Sequence, residues 1–187
     1  VRLFVALDVP EETREALAAL IHRFETICRG ARWVRAENLH ITLKFIGEVD
    51  EAKFPEIKAI LSRVNSRDPF EIKFHRFGFF PNEHHPRVFW VGMESGPSMA
   101  ELAAAIDANL KPLGIPHEVK SFRPHLTLAR FKTPKGVSKL QEITSALEEQ
   151  EFGRTTAREF HLYQSVLKRS GAEYTRLATF PFAGGNE

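Results

Sequence analysis

An α+β fold of two related lobes is predicted for this 187-residue chain by three observations. The phrase His40-Ile41-Thr42-Leu43 returns as His125-Leu126-Thr127-Leu128 close to half the chain length later. Apolar patterning switches repeatedly between the strand period and the helix period, and each phrase lies between helices. No glycine- and serine-rich linker and no low-complexity block separates the halves, so the lobes are expected to share a continuous core. Outside the phrases the halves are too unlike for the sequence to establish duplication, and the spacing is too long for a solenoid.

The elements follow in order. Residues 2–9 read as a strand. Pro10 with Glu11 and Glu12 opens a helix to about residue 27, with proline early and acids in the first turn, and Gly30 ends it. Leu17, Leu20, Ile21 and Phe24 recur at helical spacing on its apolar face. Strands are predicted over 32–35 and 39–49, then a helix over 54–64 that carries Ile57, Ile60, Leu61 and Val64. Residues 70–80 and 87–93 form a hairpin around the turn-rich Pro81-Asn82-Glu83-His84-His85-Pro86. A helix over 98–111 follows, with Ser98 as N-cap and Glu101 as its capping-box partner. The second phrase lies in a strand over 124–131, succeeded by a helix over 137–149 and final strands over 157–167 and 174–180. Residues 183–187 are expected to fray.

Bulk properties narrow the function classes. At 43% hydrophobic residues the chain can bury a core of one bilobal domain spanning 1–187. A net charge of +2 lacks the strongly cationic profile of proteins held on nucleic acid by phosphate neutralisation, and fits a small anion or an RNA terminus better than a long duplex. Cys28 is the only cysteine, which rules out an intrachain disulfide and a zinc site built on several thiolates. A cytoplasmic location is the expectation. The apolar opening stops at Asp8-Val9-Pro10 and reads as a core strand more than a leader, and no apolar run is long enough to span a membrane. No protein partner is implied.

Side chains alternate between the faces of a strand, so His40 shares a face with Thr42, and His125 with Thr127. Each phrase thus presents an imidazole beside a hydroxyl and anchors it with two aliphatics. Side by side, the two strands would line one cleft with groups suited to proton transfer around a phosphate.

The longer phrases, Leu39 to Glu48 and Arg123 to Arg130, resemble the tandem motifs of the two-histidine (2H) phosphoesterases. The opening Arg2 to Asp8, the segments Phe79-Phe80-Pro81-Asn82 and Arg87-Val88-Phe89-Trp90, and the ending Leu162-Tyr163-Gln164-Ser165 with Tyr174 and Leu177 are similar to the branch of RNA 2′,3′-cyclic phosphodiesterases, first described as 2′-5′ RNA ligases. The resemblance covers essentially the whole chain. It implies a bilobal fold with antiparallel sheets around a central cleft and helices outside. It also implies no metal or other cofactor, and opening of a cyclic phosphate to a 2′-phosphomonoester. His40 would then protonate O3′ and His125 would activate water, a division the residues themselves do not assign. Weak 2′-5′ joining would be the reverse reaction.

Thr42 and Thr127 are expected to donate to non-bridging oxygens. Arg130 matches a motif arginine for phosphate or nucleotide, yet strict alternation points it away from His125, so a bulge after Leu128 is required. Arg123, which has the right parity, and Lys44, placed by alternation on the face of His40, are reserves. Phe45 and Phe80 are expected as stacking platforms for a base. His84 and His85 read as solvated turn residues rather than metal ligands, and His22, His75, His117 and His161 as packing or surface residues. The ligands expected are RNA ends or nucleotide 2′,3′-cyclic phosphates. Competing readings are a nucleotide-binding module without turnover, and the same chemistry on another small cyclic phosphate such as an ADP-ribose derivative.

Overall fold

The computed structural model describes residues 1–64 and 67–185. Its strands are β1 (Arg2–Asp8), β2 (Arg32–Trp33), β3 (His40–Glu48), β4 (Phe70–Phe80), β5 (Val88–Glu94), β6 (His125–Arg130), β7 (Glu151–Ala157), β8 (Glu159–Lys168) and β9 (Gly171–Pro181). The helices are α1 (Glu11–Glu25), α2 (Phe54–Leu61), α3 (Ser98–Leu110) and α4 (Val137–Ser145). Two antiparallel sheets result, in the orders β3-β1-β8-β9 and β2-β6-β5-β4-β7. They meet where β3 runs beside β6, and the Val34 amide donates to Leu128 O at 2.8 Å next to that seam.

Each sheet buries one face under helices. On β1 Leu3, Val5 and Leu7 are fully buried, as are Ile41 and Leu43 on β3, and α3 packs against β3 with α2 beside it. Over the other sheet Phe24 of α1 meets Trp33, Phe77 and Phe89. The helices are exchanged: α1 follows a strand of the first sheet and covers the second, while α3 does the reverse. One apolar cluster therefore runs through both lobes, from Leu3 and Ile41 to Phe74, Phe89 and Leu126. Each fully buried aliphatic or phenylalanine in it contributes roughly 1.5–3 kcal/mol.

Three local expectations are corrected. Strand β7 was not anticipated: it is the outer strand of its sheet, buries only Phe152 and Ala157, and carries Gly153 and charged residues, so its alternation is weak. Gly153 adopts φ 144°, and a Cβ there would lie 2.1 Å from Thr13 Oγ1. The capping box at Ser98 does not form; Ser98 is already helical behind Pro97, and no side chain caps the helix. Residues 183–185, expected to fray, form a 3-10 turn, while the rest of that expectation, on 186 and 187, lies outside the described residues.

Candidate active site

The two phrases take the same shape. His40 and Thr42 on β3, and His125 and Thr127 on β6, are half-buried on the helix-free faces, while Ile41, Leu43, Leu126 and Leu128 point into the core. In each strand the register then slips by one residue. Ala6 pairs with Thr42 but Val5 with Lys44, leaving Leu43 as an extra residue. Trp90 pairs with Thr127 but Phe89 with Ala129, leaving Leu128 extra. A bulge of this kind reverses the alternation beyond it. Arg130 consequently returns to the face of His125, as its expected role required, and Phe45 turns to the face of His40 with 58% of its surface exposed.

The same bulge corrects the placement of Lys44. It turns to the opposite, buried face, where Nζ donates to Asp107 Oδ1 and Pro116 O, both at 2.6 Å, with Glu118 3.8 Å away. Lys44 is thus spent on an ion pair beneath the sheet and does not reach the cleft.

Each imidazole is held the same way. His40 Nδ1 donates to Asn38 O at 2.6 Å and His125 Nδ1 to Arg123 O at 2.7 Å. A carbonyl can only accept, so the neutral rings carry their proton on Nδ1 and leave Nε2 free for proton exchange. Burial pushes both imidazoles below their ordinary value, and both carbonyls push back; beyond that, Asp8 raises His40 whereas Arg130 lowers His125 further. The hydroxyls of Thr42 and Thr127 make no protein hydrogen bond among the described residues.

Around His40 stand Phe4, at 4.7 Å between ring centroids, and Tyr174, edge-on at 5.0 Å. A cavity opens there, lined also by Asp8, Asn38 and Tyr163. Around His125 stand Phe80, edge-on at 5.0 Å, and Trp90 at 6.4 Å. The guanidinium of Arg123 lies 5.9 Å from the Phe80 ring, so this exposed side chain sits over the aromatic wall. Trp90 lies flat over Gly78, where a Cβ would fall 2.0 Å from the indole, so only glycine fits beneath it. Arg130 acts electrostatically on both His125 and Tyr174, which links the two walls.

Sequence reasoning brought together the histidines, threonines, Arg130, Phe45, Phe80 and Arg123. It did not single out Asp8, Trp90, Tyr163, Tyr174 or Arg176 as parts of the site. Trp90 and Asp8 were visible as the strand residues facing the phrases, but only once the pairing was known. His161, read as packing or surface, is buried beside Asp8 with Nε2 at 3.3 Å. His84 and His85 lie in an exposed turn whose amides both donate to Asn82 Oδ1.

The family model described as LigT like Phosphoesterase matches twice, over residues 7–90 and 91–174, one match per phrase. An RNA 2′,3′-cyclic phosphodiesterase of Archaeoglobus fulgidus is 37% identical over 96% of this chain and 99% of its own length. A protein of the same name from Methanocaldococcus jannaschii is 38% identical over 92% of the chain and 96% of its length. Among solved structures, TT0787 of Thermus thermophilus covers 100% of both chains with a TM-score of 0.82 and 32% identity. E. coli LigT complexed with 3′-AMP covers 97% of this chain and 98% of its own, with a TM-score of 0.76 and 27% identity. With both halves matched by one model and relatives aligned over nearly their full length, this chain belongs to the LigT-like branch of the 2H phosphoesterases.

Proposed function

We propose that this protein hydrolyses the 2′,3′-cyclic phosphate at an RNA end, or of a nucleotide, to a 2′-phosphomonoester, using His40 and His125 as its acid and base and requiring no metal. The observation that carries this reading is the paired presentation of two imidazoles, each with Nδ1 locked to a carbonyl and Nε2 free, on the helix-free faces of adjoining sheets. In-line opening of a cyclic phosphate needs a proton taken from water on one side of phosphorus and a proton given to the departing ribose oxygen on the other. Two imidazoles supply both, each transfer typically contributing roughly a hundred- to ten-thousandfold.

The electrostatic difference between the walls supports the division of labour. Asp8 favours the protonated form of His40, suiting it to protonate O3′. Arg130 disfavours the protonated form of His125, suiting it to accept the proton of the attacking water. Thr42 and Thr127, with free hydroxyls, donate to the non-bridging oxygens, where preplaced donors stabilise developing charge. Arg130 attracts the phosphate, and Phe45 and Phe80 offer faces to the base, with Arg123 over Phe80. The similar proteins of Archaeoglobus fulgidus and Methanocaldococcus jannaschii carry the name RNA 2′,3′-cyclic phosphodiesterase, which agrees with this substrate. With a 5′-hydroxyl in place of water, the same site joins ends weakly: His125 takes the hydroxyl proton, the 5′ oxygen bonds to phosphorus, and the P–O3′ bond breaks as His40 protonates O3′, leaving a 2′-5′ linkage.

The test is incubation with a short RNA ending in a 2′,3′-cyclic phosphate in the presence of a chelator, with the product identified by phosphorus NMR. A 2′-phosphate is expected. A 3′-phosphate would reverse the leaving oxygen, and binding without turnover would reduce the protein to a nucleotide-binding module.

A further inference from the structure

The strand that carries each histidine and the neighbour it pairs with, β3 with β1 and β6 with β5, match between the lobes, so the positions at which these pairs differ are where an inequality between the histidines can arise. Across the ladder from His40 stands Asp8 of β1; across from His125 stands Gly92 of β5. Five residues after each histidine the pair is Phe45 against Arg130. One imidazole therefore has a carboxylate as its ladder partner, and the other has a bare backbone there and a guanidinium nearby.

Asp8 is firmly held. Tyr163 donates its hydroxyl to Asp8 Oδ1, Arg176 Nη2 donates to Oδ2, and His161 Nε2 lies 3.3 Å from Oδ2. Its carboxylate helps to line the cavity that His40, Tyr163 and Tyr174 also line. The other polar groups facing His40 are Tyr174 from β9, Asn38 and Glu37 from the 3-10 turn at Ala36–Asn38, and Arg14 from α1. Neither tyrosine supplies charge: burial, joined by the bond to Asp8, pushes the Tyr163 phenol up to about 12, and burial also raises Tyr174. Arg14 is engaged with Val9 O, and Glu37 lies within 4.0 Å of Arg35.

We propose that Asp8 is a positioning residue that makes His40 the proton donor of the pair, by fixing a negative charge beside its imidazolium. This rests on the two-histidine reading above and adds the residue that breaks its symmetry. Arg176 opposes the effect, since its guanidinium offsets the charge that Asp8 presents. Tyr163 and Arg176 keep the carboxylate in place rather than touching substrate.

The experiment follows the His40 ring by proton NMR, assigned by its loss in His40→Ala, together with the pH–rate profile of the whole protein on an RNA 2′,3′-cyclic phosphate. Asp8→Asn removes the charge and retains one oxygen that can accept from the Tyr163 hydroxyl, while its amide nitrogen no longer accepts from Arg176. It is expected to lower the His40 midpoint by roughly half to one pH unit, to leave His125 unmoved, and to shift the alkaline limb of the profile down equally. Arg176→Met, at an exposed position, is expected to shift both upward. An anchor with no electrostatic role would slow the reaction at every pH without moving the midpoint. That result, or shifts of the same sign in both variants, overturns the proposal for Asp8. If the His40 midpoint moves but the alkaline limb does not, His40 is not the acid, and the two-histidine assignment falls together with the donor role given to Asp8.

Discussion

The strands that carry the two phrases share one burial pattern over four positions and part in side-chain chemistry at the next two. From histidine to the bulged leucine both alternate half-buried and buried residues, and both slip register at the same point. After it, Lys44 and Phe45 in one lobe stand where Ala129 and Arg130 stand in the other. The bulge sends the first of each pair beneath its sheet and the second into the cleft. The common part presents the groups proposed for catalysis; the divergent part differs in how each lobe is supported and in what each wall offers a ligand.

The comparison predicts where substitutions are equivalent and where they are not. His40→Ala and His125→Ala are each expected to lose roughly a hundred- to ten-thousandfold in turnover with the fold intact, and the double variant little more than the worse single one. Initial rates and circular dichroism check this, and full rate in either single variant removes that histidine from the mechanism. Lys44→Met has no counterpart in the second lobe. It leaves the buried Asp107 carboxylate with only the Glu118 amide and His117, and is expected to cost about 3–5 kcal/mol in urea unfolding, the scale for breaking a buried pair.

Asp107 also gives that support a pH dependence. Burial opposes its ionisation, but the Lys44 ammonium, the Glu118 amide and His117 outweigh it and hold the carboxyl below its ordinary value. A carboxyl with a depressed folded-state pKa stabilises the fold above its unfolded value, and this contribution is lost as acid titrates the folded group. Wild-type stability should therefore fall from the ordinary aspartate range downward more steeply than that of a Lys44→Met/Asp107→Leu double variant. Parallel acid titrations of urea midpoints test this.

Thr42→Val and Thr127→Val come next, each expected to lower kcat roughly ten- to a hundredfold, with serine restoring much of it. An undiminished valine variant would make that hydroxyl a packing group. The smallest effects belong to the divergent pair: Phe45→Ala and Arg130→Ala should each raise KM roughly two- to fivefold, as exposed contacts do. Only the arginine variant should flatten the dependence of KM on salt. Equal salt dependence in the two would erase the proposed difference between the walls.

Much of this was legible in the sequence because it depends on local pattern. The alternation of β-branched and aliphatic residues gave the two central strands, and the paired histidine and threonine gave their exposed faces. The bulge was legible only as a requirement: Arg130 needed it, whereas nothing in Leu43-Lys44-Phe45 warned that Lys44 would turn inward. Its partner Asp107 lies on a distant helix, and such pairings carry no short-range signal. Strand β7 was illegible for the opposite reason, as an outer strand with little buried surface and a glycine imposes almost no pattern. In the sequence Asp8 marks the end of the opening strand and belongs to the resemblance, but not to the site, since its place opposite His40 depends on which strands become neighbours.

Strand β1 lies in the interior of its sheet, bonded on one side to β3 and on the other to β8. Strand β1 therefore waits for a partner that lies far along the chain. A nascent chain can pair β1 with β3 early, but Tyr163, Tyr174 and Arg176 arrive only with the β8–β9 hairpin, leaving the Phe4 face and the Asp8 carboxylate bare until then. Chains truncated before that hairpin would carry both histidine phrases yet present an unfinished sheet edge, a surface prone to wrong pairing. Synthesis of the β8–β9 hairpin is thus the step that completes the wall around His40, and a chain that stops before it is expected to be inactive and disposed to aggregate.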